Sequence, residues 1–322
     1  MYWAAVGLSL LVGLGMTQAA AAESAESGAS TRRAVVLTTD CGTDMDDQWA
    51  LAHLALSPEI ELRGVVTTHA LGLPAPAAEF TARTAREVLA NLPLKHAPPV
   101  IAGSSVALAE KAKPLPNAGV DLLLQQSRRF SASHRLAVLV IGAATDLASA
   151  LLTDPTLGDR IEIVAMGFYR WPDGGDEWNI KNDPKAWQVL LESRAPITVG
   201  DQAVCKRDLR MTPAKANALF AQRGKAGRYL AHIFTDWMEK HPGLLAEGFW
   251  PVWDEVVTAH LLGLTRTEAH PRPTLDDAMH LILPTETAQP ARAITWIVSL
   301  DTARLWDDFT RKLERAQAEQ AQ

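Results

Sequence analysis

A strand that runs into an acidic turn is the feature that most constrains how this chain folds. Residues 35–39 (Val-Val-Leu-Thr-Thr) favour a β-strand, and an apolar helical pattern follows the turn. The turn carries four carboxylates within eight positions, at Asp40, Asp44, Asp46 and Asp47. Carboxylates this close repel one another unless a cation lies between them, although they are also common in solvated loops and at helix starts. Because open α/β sheets bind ligands at the carboxyl ends of their strands, the turn predicts a site for a hard cation.

Strand and helix patterns alternate along the rest of the chain. Most predicted strands are apolar on both faces, which is typical of parallel strands covered by helices. The predicted strands are 33–39, 62–68, 99–102, 136–141, 161–166 and 197–199, with a late strand pair at 281–283 and 294–300. The sequence therefore predicts a single α/β domain over residues 34–318, with a largely parallel central sheet flanked by helices in a Rossmann-like architecture.

The amino-terminal residues predict export. Residues 2–16 are almost wholly apolar, and the small residues that follow them are typical of a signal-peptide cleavage site. We expect a signal peptide at residues 1–22, a linker at residues 23–33, and a periplasmic or secreted mature protein. An uncleaved anchor is the alternative, although the apolar run is short for a bilayer span. The net charge of −6 and the lack of Lys/Arg blocks argue against nucleic acid, or a membrane after signal cleavage, as a partner.

The two cysteines leave two readings open. Cys41 lies inside the acidic turn, and Cys205 is far from it in sequence. Export would allow a disulfide between them to persist, and two buried free thiols are equally consistent with the sequence. Neither cysteine belongs to a C-x-x-C or His/Cys cluster of the kind that binds zinc.

Three more loops place polar or flexible residues after predicted strands. Residues 141–146 follow a strand, and Gly142 there permits a close backbone approach. Residues 177–179 (Glu-Trp-Asn) place a carboxylate and an amide two positions apart, so that both would face one side of an extended segment. Trp253-Asp254 opens a helical pattern. Taken one by one, these loops also fit an ordinary strand–helix turn, a solvated loop and a helix N-cap.

The order of these segments resembles that of the inosine–uridine-preferring nucleoside hydrolases. Residues 38–50 resemble the amino-terminal signature of that family, in its longer variant with Asp-x-Asp-Asp. Residues 141–146 are similar to its Gly-Pro-Leu-Thr-Asn turn, and residues 177–186 to its Glu-Phe-Asn…Asp-Pro-Glu-Ala segment. Trp253-Asp254 stands where the family has His-Asp or Trp-Asp. The resemblance spans residues 34–309 and implies a nucleoside hydrolase-like fold.

The resemblance implies a Ca²⁺ cofactor held by oxygen ligands. The side chains of Asp40, Asp47 and Asp254 and the backbone carbonyl of Ile141 would be the metal ligands, a set that suits calcium. Asp40 would also be the catalytic general base, which takes a proton from the attacking water.

The resemblance also implies contacts to a ribosyl substrate. Asp46 and Glu177 would accept hydrogen bonds from ribose hydroxyls, and Asn179 would donate one to the sugar. The surrounding carboxylates would stabilise a transition state that is like an oxocarbenium ion. Asp44 lies in the insert of the longer variant and has no assigned role.

Several loops depart from the family pattern. Trp253 replaces the histidine that assists the leaving base in some members, and an indole there would stack on a purine; packing in the core is the simpler alternative. Trp171 and Trp178 are further candidates for stacking. The turn after the second strand lacks the usual Asn. His69, in that turn, is either a substitute general acid or a satisfied loop histidine.

We therefore predict an exported, calcium-dependent enzyme that hydrolyses the N-glycosidic bond of a ribonucleoside or related ribosyl compound into ribose and free base. Two alternatives stay open, namely a non-catalytic calcium- and sugar-binding protein on the same scaffold and a hydrolase of another glycoside. The expected partner is the small-molecule substrate, and the composition is compatible with a homo-oligomer.

Overall fold

Twelve strands and twelve helices make up the part of the chain that the structure describes. The computed structural model describes residues 32–243, 248–284 and 292–321. The predicted signal peptide (1–22) and residues 23–31 of the predicted linker lie outside the described residues. The strands are β1 (Arg33–Thr39), β2 (Ile60–Thr67), β3 (Val100–Ala102), β4 (Leu136–Ile141), β5 (Ile161–Met166), β6 (Ile197–Gly200), β7 (Arg210–Met211), β8 (Trp250–Pro251), β9 (Thr265–Pro271), β10 (Thr274–Leu275), β11 (Leu281–Ile282) and β12 (Ala293–Leu300).

The helices lie mostly between successive strands, as the alternating pattern predicts. They are α1 (Asp46–Leu56), α2 (Ala77–Ala90), α3 (Ala118–Ser127), α4 (Thr145–Thr153), α5 (Leu157–Arg160), α6 (Trp178–Asn182), α7 (Pro184–Glu192), α8 (Gln202–Asp208), α9 (Pro213–Phe220), α10 (Gly224–Lys240), α11 (Glu255–Leu261) and α12 (Thr302–Gln320).

Eight of the strands form the central sheet, in the order β3-β2-β1-β4-β5-β6-β12-β9. Every neighbouring pair is parallel except β12 and β9, which run antiparallel at one edge. The α/β class and the largely parallel sheet are thus confirmed. Two small antiparallel ribbons, β7–β8 and β10–β11, lie outside the sheet.

The strand order reverses at β1. The chain moves outward from β1 to β2 and β3, then returns to place β4 on the other side of β1. Thr39 and Ile141 are register partners at the ends of these two strands. In open α/β sheets such a switch point leaves a crevice at the carboxyl ends of the strands, which is where ligands bind.

Helices cover both faces of the sheet and form two cores. Val35 and Leu37 of β1 pack into one core together with Trp49 of α1, whereas Val36 packs into the other with Leu147 of α4. This alternation explains why the strand has no polar face, because each side chain that leaves water contributes about 1.5–3 kcal/mol. Helix α1 is buried on nearly every side, so its first residues are rigidly placed.

The predicted late strand pair is wrong. β11 pairs with β10, and β12 pairs with β6 and with β9, which sequence patterns did not indicate. β9 (Thr-Arg-Thr-Glu-Ala-His-Pro) is exposed along most of its length because it lies at the sheet edge. An edge strand of this kind has no apolar face, so it lacks the alternation that sequence patterns detect.

No helix of the described residues combines the length and the apolar composition that crossing a bilayer requires.

Candidate active site

The carboxyl ends of β1 and β4 border a cavity of about 610 Å³. Among the described residues that line it, six carry carboxylates and none is Lys, Arg or His. The six are Asp40, Asp44, Asp46, Asp47, Glu177 and Asp254. So many acidic groups without a basic partner are costly to bury, which favours a bound cation.

The acidic turn supplies carboxylates from two elements. Asp40 directly follows β1, and Asp46 and Asp47 are the first two residues of α1. Met45 occupies the N-cap position of this helix and provides no side-chain cap. The two carboxylates therefore lie at the positive end of the helix dipole, which helps to stabilise them when they are ionised.

Asp254 brings a third carboxylate to Asp46 and Asp47. It occupies the N-cap position of α11, yet its side chain makes no capping hydrogen bond, and its backbone N–H donates to Asp46 Oδ2 at 3.2 Å. Oxygens of the three carboxylates lie within 4.8 Å of one another, which is close enough to hold one metal ion. Asp40, a predicted ligand, lines the same cavity outside this group, whereas Asp46, a predicted sugar contact, belongs to it.

Burial raises the pKa of each carboxyl group in this cluster. It raises the pKa of Asp40 to about 8 and that of Asp46 to about 6, and repulsion by Asp46 adds to the shift of Asp40. The pKa values of Asp47 and Asp254 lie well above their usual range, first because of burial and then because of neighbouring carboxylates. A bound cation would reverse this effect, since it favours the ionised form.

Two neutral side chains orient the predicted ligands. The hydroxyl of Thr39 donates to Asp47 Oδ1, and Asn182 Nδ2 donates to Asp40 Oδ2 at 3.3 Å. Asn182 also accepts a hydrogen bond from the backbone N–H of Leu71 at 2.9 Å, so it connects Asp40 to the turn that lacks the family's Asn. Sequence reasoning missed Asn182, because its place beside Asp40 depends on the packing of α6 against a distant strand end.

His53 connects the two helices that carry the acidic group. It lies on α1, with Nδ1 3.0 Å from Glu255 Oε2 on α11 and Nε2 3.1 Å from Asp308 Oδ2 on α12. Its ring stacks on Phe309 with centroids 4.3 Å apart. Burial alone would lower the pKa of His53, but the two carboxylates raise it, which favours a buried ion pair. Because Glu255 directly follows Asp254, His53 ties the helix of Asp46 and Asp47 to the start of the helix that carries Asp254.

The turn after β4 approaches the acidic turn closely. Ile141, whose carbonyl is the remaining predicted ligand, ends β4 and lines the cavity. At Gly142, a Cβ atom would lie 2.6 Å from the backbone nitrogen of Asp40 and 2.8 Å from its Oδ1. Only glycine fits this contact, as expected for a close backbone approach.

Within the Glu177–Asn179 segment only Glu177 has an extended backbone, and α6 begins at Trp178, so the prediction of an extended segment is wrong from Trp178 onward. Glu177 is the N-cap of α6 and accepts hydrogen bonds from the backbone N–H groups of Asn179 and Ile180, both at 3.0 Å. Asn179 Nδ2 donates to the Met166 carbonyl at 3.2 Å. Both residues nevertheless line the cavity, and burial raises the pKa of Glu177 to about 7.

Tryptophans form much of the cavity's apolar lining. Trp253 and Trp178 line it, as does the turn at Leu71, and Trp178 remains 47% exposed. Trp171 instead stacks on His270 with ring centroids 4.4 Å apart and does not line the cavity.

Two further tryptophans of the lining were not predicted. Trp237 comes from α10 and Trp250 from β8, and both border the cavity. The Trp-Pro-Val-Trp stretch that ends at Trp253 contained a signal for Trp250, but none was available for Trp237.

His69 lies apart from the cavity lining. Its ring is buried, and Nε2 lies 3.0 Å from the hydroxyl of Thr145, which in turn donates to Asp183. Burial lowers its pKa, so the neutral ring is favoured. This arrangement fits the satisfied loop histidine better than the general acid.

Both cysteines are free, buried thiols. Cys205 Sγ lies 3.8 Å from Met166 Sδ and donates to the Trp253 carbonyl at 3.4 Å. Burial raises the pKa of both Cys41 and Cys205, which makes them poor nucleophiles. Of the two readings that the sequence allowed, the structure supports free thiols.

Comparison with known proteins gives consistent similarities. The model of the inosine-uridine preferring nucleoside hydrolase family matches residues 35–307. Pyrimidine-specific ribonucleoside hydrolases RihA of Salmonella schwarzengrund and Salmonella agona are 26% identical over 194 residues, which are 52% of this chain and 60% of each relative. The chain thus spans less than two thirds of the length of these curated relatives.

Solved structures share the fold. A purine-preferring ribonucleoside hydrolase from Gardnerella vaginalis superimposes with a TM-score of 0.74 at 21% identity, over 88% of this chain and 99% of that one. An inosine-uridine preferring nucleoside hydrolase from Bacillus anthracis has a TM-score of 0.64 at 18% identity, with the same coverage. Together with the family match over most of its length, these findings show that the chain belongs to the inosine-uridine preferring nucleoside hydrolase family.

Proposed function

We propose that this protein hydrolyses the N-glycosidic bond of ribonucleosides, with a bound Ca²⁺ ion, to give ribose and a free base. The observation that carries the proposal is the cavity at the switch point of the sheet, whose lining, in the part of the chain that the structure describes, has six carboxylates and no basic residue. Family membership supports the reaction class. The geometry supports a site for a cation and a neutral, hydroxyl-rich ligand, rather than for an anionic substrate.

The donor set fits a calcium ion. Asp46, Asp47 and Asp254 offer carboxylate oxygens within 4.8 Å of one another, and Asp40 and the end of β4 at Ile141 border the same space. Calcium binds six to eight oxygens in flexible geometry, whereas zinc prefers nitrogen and sulfur. When bound, the ion would lower the pKa of water at the site and hold ribose hydroxyls in place.

Asp40 is the residue that we assign to proton transfer. Its carboxyl is buried, and its Oδ2 accepts a hydrogen bond from Asn182. A bound cation would keep this carboxyl ionised at neutral pH, so that it could take a proton from the attacking water. The neighbouring carboxylates favour the positive charge that develops on the sugar as the base departs.

The remaining contacts define a sugar side and a base side. Glu177 and Asn179 lie where they would bind ribose hydroxyls, and Asp46 would share its carboxylate between the sugar and the ion. Trp253, next to Asp254, would stack on the leaving base and so favour a purine. The relatives include both a pyrimidine-specific and a purine-preferring enzyme, so family membership alone does not set the base preference.

Ribose release from a panel of nucleosides tests the reaction. We expect the wild-type protein to release ribose from inosine, and Asp40→Asn to be slower by about 100- to 10,000-fold, the range for loss of a general base. The control Asp277→Asn changes a carboxylate outside the cavity and keeps an oxygen that can accept the hydrogen bond from Gln188. Absence of turnover on every nucleoside, or full activity of Asp40→Asn, would contradict the proposal.

The same proteins separate catalysis from simple binding. Calorimetry that detects binding of calcium and ribose by a wild-type protein without turnover would favour the non-catalytic sugar-binding alternative. Turnover of other glycosides but not of nucleosides would favour the alternative of a hydrolase of another glycoside.

We also propose export, on the basis of the apolar residues 2–16 and the small residues after them. Amino-terminal sequencing of the protein recovered from the periplasm or medium of expressing cells should begin near residue 23. Recovery of the uncut chain from the cytoplasm would contradict this.

A further inference from the structure

Three tryptophan rings follow one another along the wall of the cavity. Trp253 and Trp250 have ring centroids 6.0 Å apart at an interplanar angle of 88°, and Trp250 and Trp237 have centroids 6.0 Å apart at 53°. All three line the cavity and are half-buried. The row begins beside Asp254, the residue that follows Trp253.

Both outer rings are held in place. Trp250 Nε1 donates to Asp44 Oδ1 at 3.1 Å, and Trp237 packs on His241 with ring centroids 3.9 Å apart. The acceptor is a carboxylate in a largely desolvated turn, so this hydrogen bond is stronger than one at the surface. Asp44 thus has a partner on the aromatic side of the cavity.

The cavity offers more aromatic surface than one base needs. With ribose at the acidic end, a base beside Trp253 uses one indole, and two indoles remain along the same wall. Leu71 and Leu73 add apolar surface to the cavity, and Leu71 is 49% exposed. A volume of about 610 Å³ is typical of pockets for drug-sized ligands, which are larger than a simple nucleoside.

We propose that Trp250 and Trp237 form an outer subsite for an aromatic substituent on the base of a ribonucleoside, with Asp44 as the positioning residue that holds Trp250. The proposal rests on the proposed function, because it places the ribose at the acidic end and the base beside Trp253. It assigns the enzyme a substrate class, namely ribonucleosides whose base carries a flat apolar extension.

Comparison of adenosine with N⁶-benzyladenosine tests the subsite. We expect wild-type kcat/KM to be about tenfold higher for N⁶-benzyladenosine, since stacking of one ring on an indole is worth roughly a tenfold change or more. Trp250→Ala should bring the ratio of the two kcat/KM values to about one, mainly by raising KM for N⁶-benzyladenosine. Trp171→Phe, which alters a tryptophan outside the cavity, should keep it. A wild-type ratio of one or less, or an unchanged ratio in Trp250→Ala, would overturn the proposal.

Two variants at Asp44 separate positioning from charge. Asp44→Ala and Asp44→Asn both remove the negative charge, but only asparagine retains an oxygen that can accept from Trp250 Nε1. We expect Asp44→Ala to lose most of the preference for N⁶-benzyladenosine and Asp44→Asn to retain it. Combining Asp44→Ala with Trp250→Phe should cost no more than either change alone, because both remove the same hydrogen bond. Equal loss in Asp44→Ala and Asp44→Asn would contradict the positioning role.

Binding of free bases keeps this test independent of turnover. By calorimetry, wild-type protein should bind N⁶-benzyladenine about tenfold more tightly than adenine, and Trp250→Ala should bind the two equally. If no nucleoside is hydrolysed but this difference holds, the proposed function fails and the subsite stands. Equal affinity in the wild type overturns the subsite whether or not nucleosides are hydrolysed.

Discussion

The acidic end and the aromatic wall of the cavity are built in different ways. The acidic end draws on one short turn, residues 40–47, joined by Asp254, and the three carboxylates that could hold a metal ion are buried. The aromatic wall is assembled from α10, β8 and the loop before α11, and its indoles are only half-buried. A local motif therefore supplies the acidic side chains of the proposed reaction, whereas distant segments form the space that we propose for the nucleobase.

This contrast predicts different consequences of mutation. Changes at the acidic end should reduce turnover of every substrate, because in the proposed reaction every substrate uses the same calcium ion and the same general base, Asp40. Changes in the aromatic wall should alter the ratio between substrates, because only the base side contacts it. The predictions below test this division, from the largest expected effect to the smallest.

Removal of a ligand should have the largest effect. Asp254→Ala should weaken calcium binding at least about 100-fold and reduce kcat by about 1000-fold for purine and pyrimidine nucleosides alike. Calorimetry and ribose release measure the two quantities. The ion-free variant should melt no lower than the ion-free wild type, since it loses one of several mutually repelling carboxylates.

Asp277→Asn is the control, because Asp277 lies outside the cavity and accepts a hydrogen bond from Gln188 that an asparagine oxygen can keep. It should keep its calcium affinity. If Asp254→Ala lost turnover of only one class of nucleoside, purine or pyrimidine, the proposed division of the cavity would be contradicted.

A single methyl group should displace the acidic turn. In Gly142→Ala the new Cβ would meet the backbone nitrogen of Asp40 at 2.6 Å, so the turn must shift. A misplacement of about 1 Å costs roughly 100-fold in rate, and we expect such a loss on all nucleosides. Gly243→Ala, where a Cβ meets no atom of the described residues within 4 Å, should behave as wild type. Full activity of Gly142→Ala would show that the close approach is unimportant.

Loss of the inner indole should change base preference. Trp253→Ala should lower kcat/KM for inosine about tenfold more than for uridine, since a purine stacks over a larger area. The measurement is the ratio of the two kcat/KM values in variant and wild type. An equal loss of kcat/KM on both substrates would show that Trp253 acts in the reaction itself rather than in the selection of the base.

The smallest effect is on stability, and it depends on pH. In the ion-free protein, burial raises the pKa of Asp46 to about 6 and that of Asp40 to about 8. The folded state therefore keeps protons that the unfolded state releases, and their binding stabilises the folded state. This stabilisation is full below pH 3.8 and is lost as the pH rises through the folded-state pKa values.

Melting with a chelator and with saturating calcium measures this effect. The ion-free melting temperature should fall between pH 6 and pH 8, by about 2–4 °C per kcal/mol lost, while calcium stabilises more at the higher pH. An ion-free melting temperature that rises between pH 6 and pH 8 would contradict the predicted direction of this pH dependence.

The contrast also explains how much the sequence revealed. The strand Arg33–Thr39, the parallel sheet and the acidic turn were predictable, because they are encoded by contiguous patterns. A close backbone approach at Gly142 was expected from a glycine at a strand end, whereas its partner, Asp40, was not.

Features that depend on long-range packing were not predictable. Asn182 reaches Asp40 across 142 positions, and Trp250 reaches Asp44 across 206. The helical turn after Glu177 was missed because this residue, which the sequence assigned to a sugar contact, is also an effective N-cap. The edge strand β9 was missed because it buries too little to show a pattern.

The most direct test of the central claim is a calcium titration of ion-free wild-type protein, with ribose release from inosine measured on the same samples. The account predicts negligible release without the ion and turnover that rises in proportion to occupancy, to a limit at one calcium per chain. Full turnover in the ion-free protein, or saturation of binding without release of ribose, would contradict it.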